Sequence, residues 1–348
     1  MGVFRIKKSG LYIHIPFCRS KCPYCDFYSV KYESTLAEKY TDRLIAEIKK
    51  YNGSFDTIYF GGGTPSIIDT SLIGKIIDAS KNQFDISDDC EITIECNPSK
   101  NLERDFEEYR SFGINRISLG MQSARNEERF ALGRVAGQNE VAKAVNDAKK
   151  AGIYNISLDI MLSTPKQTLA SLDETFEFVD KMNVTHISAY MLKIEEGTKF
   201  FEMKDRLALP DEDETAQMYL KTVDCLKNLG FNQYEISNFA KPGFESRHNT
   251  KYWTLVEYLG IGASAHSFYN GKRFYYDKDF SIIQDGDGGS REEQIMLGLR
   301  MNRGIDKSLV NKDYSQFIKM GLLAEDGDRI SLTPEGMLLS NTIINSLI

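Results

Sequence analysis

Three cysteines fall within eight residues, Cys18, Cys22 and Cys25 in Cys-Arg-Ser-Lys-Cys-Pro-Tyr-Cys. Thiolates so spaced bind metal, yet the set lacks a ligand. Structural zinc sites close four ligands, often as two separated pairs, whereas three clustered thiolates suit three corners of a [4Fe-4S] cube and leave the fourth iron open. A zinc knot completed by His14 or another histidine is the competing reading. Two further features have chemical potential. Gly61-Gly62-Gly63-Thr64-Pro65 lets backbone N–H groups approach a ligand's carboxylate or amine, or else makes only a tight turn. Glu95 and Asp159 are carboxylates in otherwise apolar runs, and burial there requires donors, either ligand hydroxyls or an arginine such as Arg116.

Apolar, β-branched runs at residues 11–16, 57–60, 91–95, 116–119, 155–162 and 186–192 predict six strands. Helical spacing separates them, as in Leu36, Tyr40, Leu44 and Ile48, or Val141, Val145 and Ala148 ahead of a Lys149-Lys150-Ala151-Gly152 stop. This alternation implies a parallel sheet, and six units predict an incomplete barrel open on one side. The polar residues gather where the strands end, the face on which such barrels build their sites.

Cys18-x3-Cys22-x2-Cys25 after a first strand resembles the radical S-adenosylmethionine (SAM) superfamily. The resemblance implies that SAM's amino and carboxylate groups chelate the open iron, and that an electron from the cluster cleaves SAM to methionine and a 5′-deoxyadenosyl radical. It implies that Gly62, Gly63 and Thr64 hold the methionyl part and that Glu95 and Asp159 take the ribose hydroxyls. Gln122 and Arg134 would border the nucleoside, and Tyr12 and Tyr24 would line SAM. Residues 12–18, 61–65, 95–98 and 186–190 are similar to the oxygen-independent coproporphyrinogen III dehydrogenase branch. The dehydrogenase has a further cysteine where this chain has Phe27. The haem-chaperone members instead have His-Asn-x2-Tyr-Trp, present here as His248, Asn249, Tyr252 and Trp253.

A neutral imidazole at His248 is able to ligate haem iron, with Tyr252 and Trp253 as aromatic faces and Asn249 orienting the ring. A packed corner is the plain alternative. His266 matches another family segment, its role open between a polar contact and structure, while His14 and His186 are expected as strand histidines satisfied by hydrogen bonds. Ala136 stands where the family often has histidine, residues 164–167 depart from the commoner Leu-Pro-Gly-Gln, and the stretch from Trp253 to Glu292 is short.

Composition excludes other classes. The 348 residues are 41% hydrophobic and 27% charged, with a net charge of -7, which argues against a broad nucleic-acid footprint. No run approaches the ~18 apolar residues of a membrane span, and residues 1–10 hold Arg5, Lys7 and Lys8 without the apolar h-region of a signal peptide after them, predicting a cytoplasmic protein without a transmembrane anchor. Cys90, Cys96 and Cys225 are too scattered for a disulfide framework.

After residue 200 the pattern changes, and residues 285–290 form the best linker. Residues 291–348 predict a small winged-helix-like domain whose seven Lys and Arg against eight Asp and Glu favour docking over DNA binding. The expected fold is α/β: a partial (β/α)6 radical-SAM barrel over 1–236, a connecting segment with the haem motif over 237–290, and the accessory domain over 291–348. The expected function is haem binding and delivery to haem-dependent respiratory proteins near the membrane, using a [4Fe-4S] cluster, SAM and an electron donor. The alternative is the dehydrogenase reaction itself.

Overall fold

The computed structural model describes residues 8–98 and 102–348; the basic residues Arg5 and Lys7 lie outside them. One twelve-stranded sheet organises the molecule. Six parallel strands succeed one another in chain order, β1 (Ser9–Ile15), β2 (Ser54–Gly62), β3 (Asp85–Cys96), β4 (Arg116–Gln122), β5 (Asn155–Leu162) and β6 (His186–Met191), each beside the next, and the later strand Tyr258–Ile261 also pairs parallel with β1. Six strands follow: β7 (Asn232–Glu235), β8 (Asn238–Ala240), β9 (Tyr258–Ile261), β10 (His266–Tyr269), β11 (Lys272–Tyr276) and β12 (Ile282–Asp287). The order β12-β11-β10-β9-β1-β2-β3-β4-β5-β6-β8-β7 leaves the sheet unclosed. The incomplete barrel of six strands expected from the sequence is present, and later strands extend both of its edges.

The strands alternate along most of their length. Leu11, Ile13, Ile58, Phe60, Ile92, Ile94, Ile117, Leu119, Leu158, Ile160 and Ile187 are fully buried or nearly so, in one core with helix residues such as Leu44, Ile73, Val145 and Val179. The intervening positions are polar: Tyr12 and His14, Thr57 and Tyr59, Thr93 and Glu95, Arg116 and Ser118, Ser157 and Asp159, His186 and Ser188. Because a strand's side chains point alternately to its two faces, this pattern puts the apolar set under the helices and the polar set in the lumen.

Residues 291–348 fold as short helices around a three-stranded sheet of Ile305–Asp306, Arg329–Leu332 and Leu323–Asp326. Two expectations are corrected here. The segment 334–344, whose sequence pattern predicts one helix, forms two, Pro334–Leu338 and Ser340–Leu347, and residues 285–287 of the expected linker lie in β12, with Asp287 opposite Lys272. The C-terminal domain docks on the β7 edge, where Glu235 bridges Met301, the Ile236 N–H donates to the Arg300 carbonyl, and the Tyr219 hydroxyl reaches Met337 Sδ. Among the described residues no helix is long and apolar enough to cross a membrane.

Candidate functional site

The cysteine loop leaves the C-terminal end of β1 and is clamped onto β2. The Gly63 N–H donates to the Ile15 carbonyl (2.9 Å) and the Thr64 N–H to the Phe17 carbonyl (2.8 Å). A Cβ on Gly63 would stand 2.7 Å from the Phe17 carbonyl oxygen, so glycine is needed for the loop to lie this close. The glycine run was expected to offer these N–H groups to a ligand; two of them hold the loop instead. Gly62, at φ +115°, packs against the His14 ring.

The cysteines are partly exposed, with a Cys25 N–H to Cys22 carbonyl bond of 3.2 Å. Among the described residues no three thiol, imidazole or carboxylate groups converge on a point that would hold a single ion. Three thiols on one loop supply one ligand to each of three iron corners of a cubane and leave the fourth corner open. His14, the candidate fourth zinc ligand, instead pairs its Nδ1 with the Tyr12 hydroxyl at 3.0 Å. The donor set fits the cluster.

A side-chain relay runs from the loop across the strand ends. Cys18 Sγ meets Thr64 Oγ1 at 3.7 Å, and Asn97 Nδ2 donates to Thr64 Oγ1 at 3.1 Å. Arg134 then donates from Nη1 to Asn97 Oδ1 at 2.7 Å and from Nη2 to the Tyr24 hydroxyl at 3.0 Å. Gln122 joins at a register shift in β4, with a left-handed φ of 69°. Its amide fits because Gly120 has no side chain: a Cβ there would meet Gln122 Nε2 at 3.0 Å and Asn97 Oδ1 at 3.2 Å. Thus Cys18, Tyr24, Thr64, Gln122 and Arg134 are brought together by Asn97, which sequence reasoning missed. The signal available for it was an amide two residues after the strand carboxylate Glu95, inside the 95–98 motif.

The carboxylates lie one layer into the lumen. Glu95 Oε1 accepts from the Tyr59 hydroxyl at 2.8 Å, and burial pushes its carboxyl up to about 7. Asp159 accepts from Ser118 Oγ at 2.8 and 3.0 Å, and burial raises it too. The suggested alternative partner, Arg116, is 1% exposed yet forms no ion pair with either among the described residues, and its Nε and Nη1 have no hydrogen-bond partner. Glu95 also accepts from the Gly62 N–H, and the Arg116 charge acts on both carboxylates without pairing with either; each keeps spare acceptor capacity, which suits ribose hydroxyls. Tyr12 stacks on Tyr59 at 6.2 Å beside them.

The His248 motif lies at the opposite end. The helix Arg247–Trp253 covers the starts of β1 and β2, about 16 Å along the strands from Gly62. Its Arg247 and His248 N–H groups donate to the Glu91 carboxylate, and Lys251 ties it to Asp56 and to the Lys8 carbonyl. His248 is completely buried, with Nδ1 2.8 Å from Thr57 Oγ1, Nε2 2.8 Å from the Tyr252 hydroxyl and its ring stacked on Tyr59. Burial lowers its pKa to about 3. The expectation of an imidazole open to haem is not met in this arrangement, because both nitrogens are occupied. Thr57 and Tyr252 hold the ring in place of Asn249, and the Trp253 ring faces the Arg300 guanidinium. His186 is likewise satisfied at both nitrogens, by Ser157 and Tyr234, while His14 Nε2 is buried without a partner.

Known proteins share this framework. The radical SAM superfamily model matches residues 12–179, and the HemN C-terminal domain model matches residues 291–339. The chain is 32% identical to the haem chaperone HemW of Lactococcus lactis over 98% of both chains. It is also 32% identical to the HemW of Bacillus subtilis, over 97% of this chain and 98% of that one. Among solved structures, coproporphyrinogen III oxidase of Escherichia coli superposes with a TM-score of 0.84 at 22% identity, covering 99% of this chain and 91% of that one.

Proposed function

The chain belongs to the HemW haem chaperone family of radical SAM proteins, and we infer that it binds haem and delivers it to haem-dependent proteins. The observation that carries this reading is identity spread over the full length of both chains rather than confined to the barrel. Its cofactors are a [4Fe-4S] cluster and SAM. Respiratory haem proteins are the proposed acceptors, with the cytoplasm as the compartment and a separate electron donor for the cluster.

We assign the cluster to Cys18, Cys22 and Cys25. When bound, it supplies a one-electron reductant and an open iron for SAM's amino and carboxylate groups. The chain's own residues would then do the positioning. Gly62 and Gly63 fix the loop, Thr64 and Asn97 tie it to Arg134, and Tyr24 and Gln122 border the nucleoside. Glu95 and Asp159 would accept the ribose hydroxyls, with Tyr12 as a neighbouring wall. Iron ligation by His248 would require the Arg247–Trp253 helix to give up its Thr57 or Tyr252 bond.

In this reading residues 1–236 form the cofactor barrel, 237–290 the connecting segment and 291–348 the docking domain. The test uses anaerobically purified, cluster-reconstituted protein. Haem is titrated while the Soret band is followed, and the same sample is assayed for coproporphyrinogen conversion with SAM and a reductant. Saturable haem binding without conversion supports haem carriage. Conversion to protoporphyrinogen overturns it in favour of the dehydrogenase reaction, despite Phe27.

A further inference from the structure

The chain has four histidines. His186 and His248 are fully buried with both nitrogens bonded, and His14 is 6% exposed beneath Gly62. His266 alone among them is exposed, and neither of its ring nitrogens has a hydrogen-bond partner among the described residues. A histidine that serves as axial ligand for haem iron needs an accessible nitrogen lone pair, and of the four histidines only this ring offers one among the described residues.

The surroundings of His266 make an independent case. It opens β10, directly after a turn over residues 262–265 that packs against the end of β1. Within that turn a Cβ on Gly262, at φ +121°, would lie 2.8 Å from the His14 carbonyl oxygen. His266 therefore emerges at the cysteine-loop end of the sheet, whereas His248 lies at the other. The register Tyr12↔Gly260, Tyr258↔Phe268, His266↔Tyr275 and Tyr275↔Ile283 sets Tyr12, Gly260, His266, Tyr275 and Ile283 in one row across five strands. Residues opposite one another in a ladder share a face, so the row continues the lumen surface outward onto the unclosed edge of the barrel. The Tyr275 ring stacks on the imidazole at 5.0 Å and 25°, which fixes the ring plane and leaves its nitrogen edge free. Ile283 beyond it is 39% exposed, an apolar surface beside an available ligand.

We propose that His266 is the axial ligand through which this chain holds haem iron, with Tyr275 and Ile283 forming the surface on which the porphyrin edge rests. This rests on the haem-carrying reading and deepens it by moving the cargo from the buried helix to the open edge. The step is coordination only. A neutral ring nitrogen donates its lone pair to iron and displaces an axial water, with no electron transferred.

The test is hemin titration of the full-length, cluster-loaded protein under anaerobic conditions, read by the Soret and visible bands and by electron paramagnetic resonance. Wild type is expected to show a histidine-ligated spectrum. H266A is expected to lose that signature and to bind hemin at least ~10-fold more weakly, and added imidazole should restore the bands. H266Q serves as a second exposed variant, with thermal unfolding confirming that both fold as wild type does. H248Q is expected to keep the histidine signature. If H266A and H266Q retain the signature, or H248Q alone loses it, the proposal is overturned while haem carriage stands. If the wild-type protein binds no hemin at all, haem carriage itself fails and the proposal with it.

Discussion

The two ends of the barrel lumen are built from the same polar row of strand residues and differ in what closes them. At the N-terminal end a seven-residue helix is locked in by a carboxylate on its first N–H groups, by an ion pair from Lys251, and by a histidine with no free nitrogen. At the C-terminal end a loop with three free thiols is clamped by backbone bonds, and the side chains around it are linked but only partly buried. A satisfied, desolvated set of groups provides stability, whereas a partly solvated set with spare acceptors is available for a ligand. Motif chemistry alone would rank the His248 segment with the cysteines as a site. Its hydrogen-bond accounting makes it a floor.

Four experiments break or sharpen that contrast. The largest effect is expected from replacing Cys18, Cys22 and Cys25 together with alanine. Iron and sulfide content should fall to background while the protein stays folded; retained iron and sulfide would remove the mouth as the cluster site. His248→Ala should do the reverse. It empties a buried ring site and strands the Thr57 and Tyr252 hydroxyls, for a loss of about 3 kcal/mol in denaturant unfolding, with cluster content per folded molecule unchanged.

Gly63→Ala tests the clamp between these extremes. Its Cβ would meet the Phe17 carbonyl oxygen at 2.7 Å, so a stability loss of about 1–3 kcal/mol and poorer cluster retention are expected. Unaltered iron retention would show that the loop does not depend on this contact.

The smallest effects are slopes in pH, and the two ends should differ in sign. Burial raises Glu95 to about 7 against an ordinary 4.5, so the fold prefers its neutral acid, and its ionisation removes stability as pH rises from 4.5 through about 7. Glu95→Gln should flatten unfolding free energy over that window and weaken SAM binding in equilibrium dialysis. Burial lowers His248 to about 3 against 6.5, so the fold prefers the neutral ring, and its stability contribution is lost as pH falls from 6.5 towards 3. His248→Gln should flatten the acid side alone. A pair of variants with the same sign would contradict the assignment of the two ends.

Much of the barrel was legible because local pattern and tertiary demand agree. Alternations such as Glu-Ile-Thr-Ile-Glu and Arg-Ile-Ser-Leu have the period of a strand with one apolar and one polar face, and β5 runs over Asn155–Leu162 as expected. The same alternation places Tyr59, Ser118, Ser157 and Ser188 on the lumen face of the structure, but no sequence reading named them as partners of Glu95 or Asp159. Asn97 was harder to find, since its importance lies in bridging Thr64 to Arg134 across 33 and 37 residues of chain. The edge strands β9 to β12 were missed because short segments, three of them joined by tight turns, show little periodicity, and pairing with β1 rather than local preference holds β9 in place.

By itself the sequence determined the cysteine spacing, the family and the face of each strand on which polar residues fall. The spacing and the faces depend on neighbours within a few positions of chain, and the family on motifs and identity along its whole length. Only the tertiary structure decided at which end of the lumen each motif lies, since periodicity specifies a face but not a depth. Depth comes from strand register, which sets Thr57 beside Gly10 and Glu91, under the helix that carries His248, and sets His266 beside Tyr275 at the open edge. That difference in depth separates a histidine that closes the barrel from one that is free to bind.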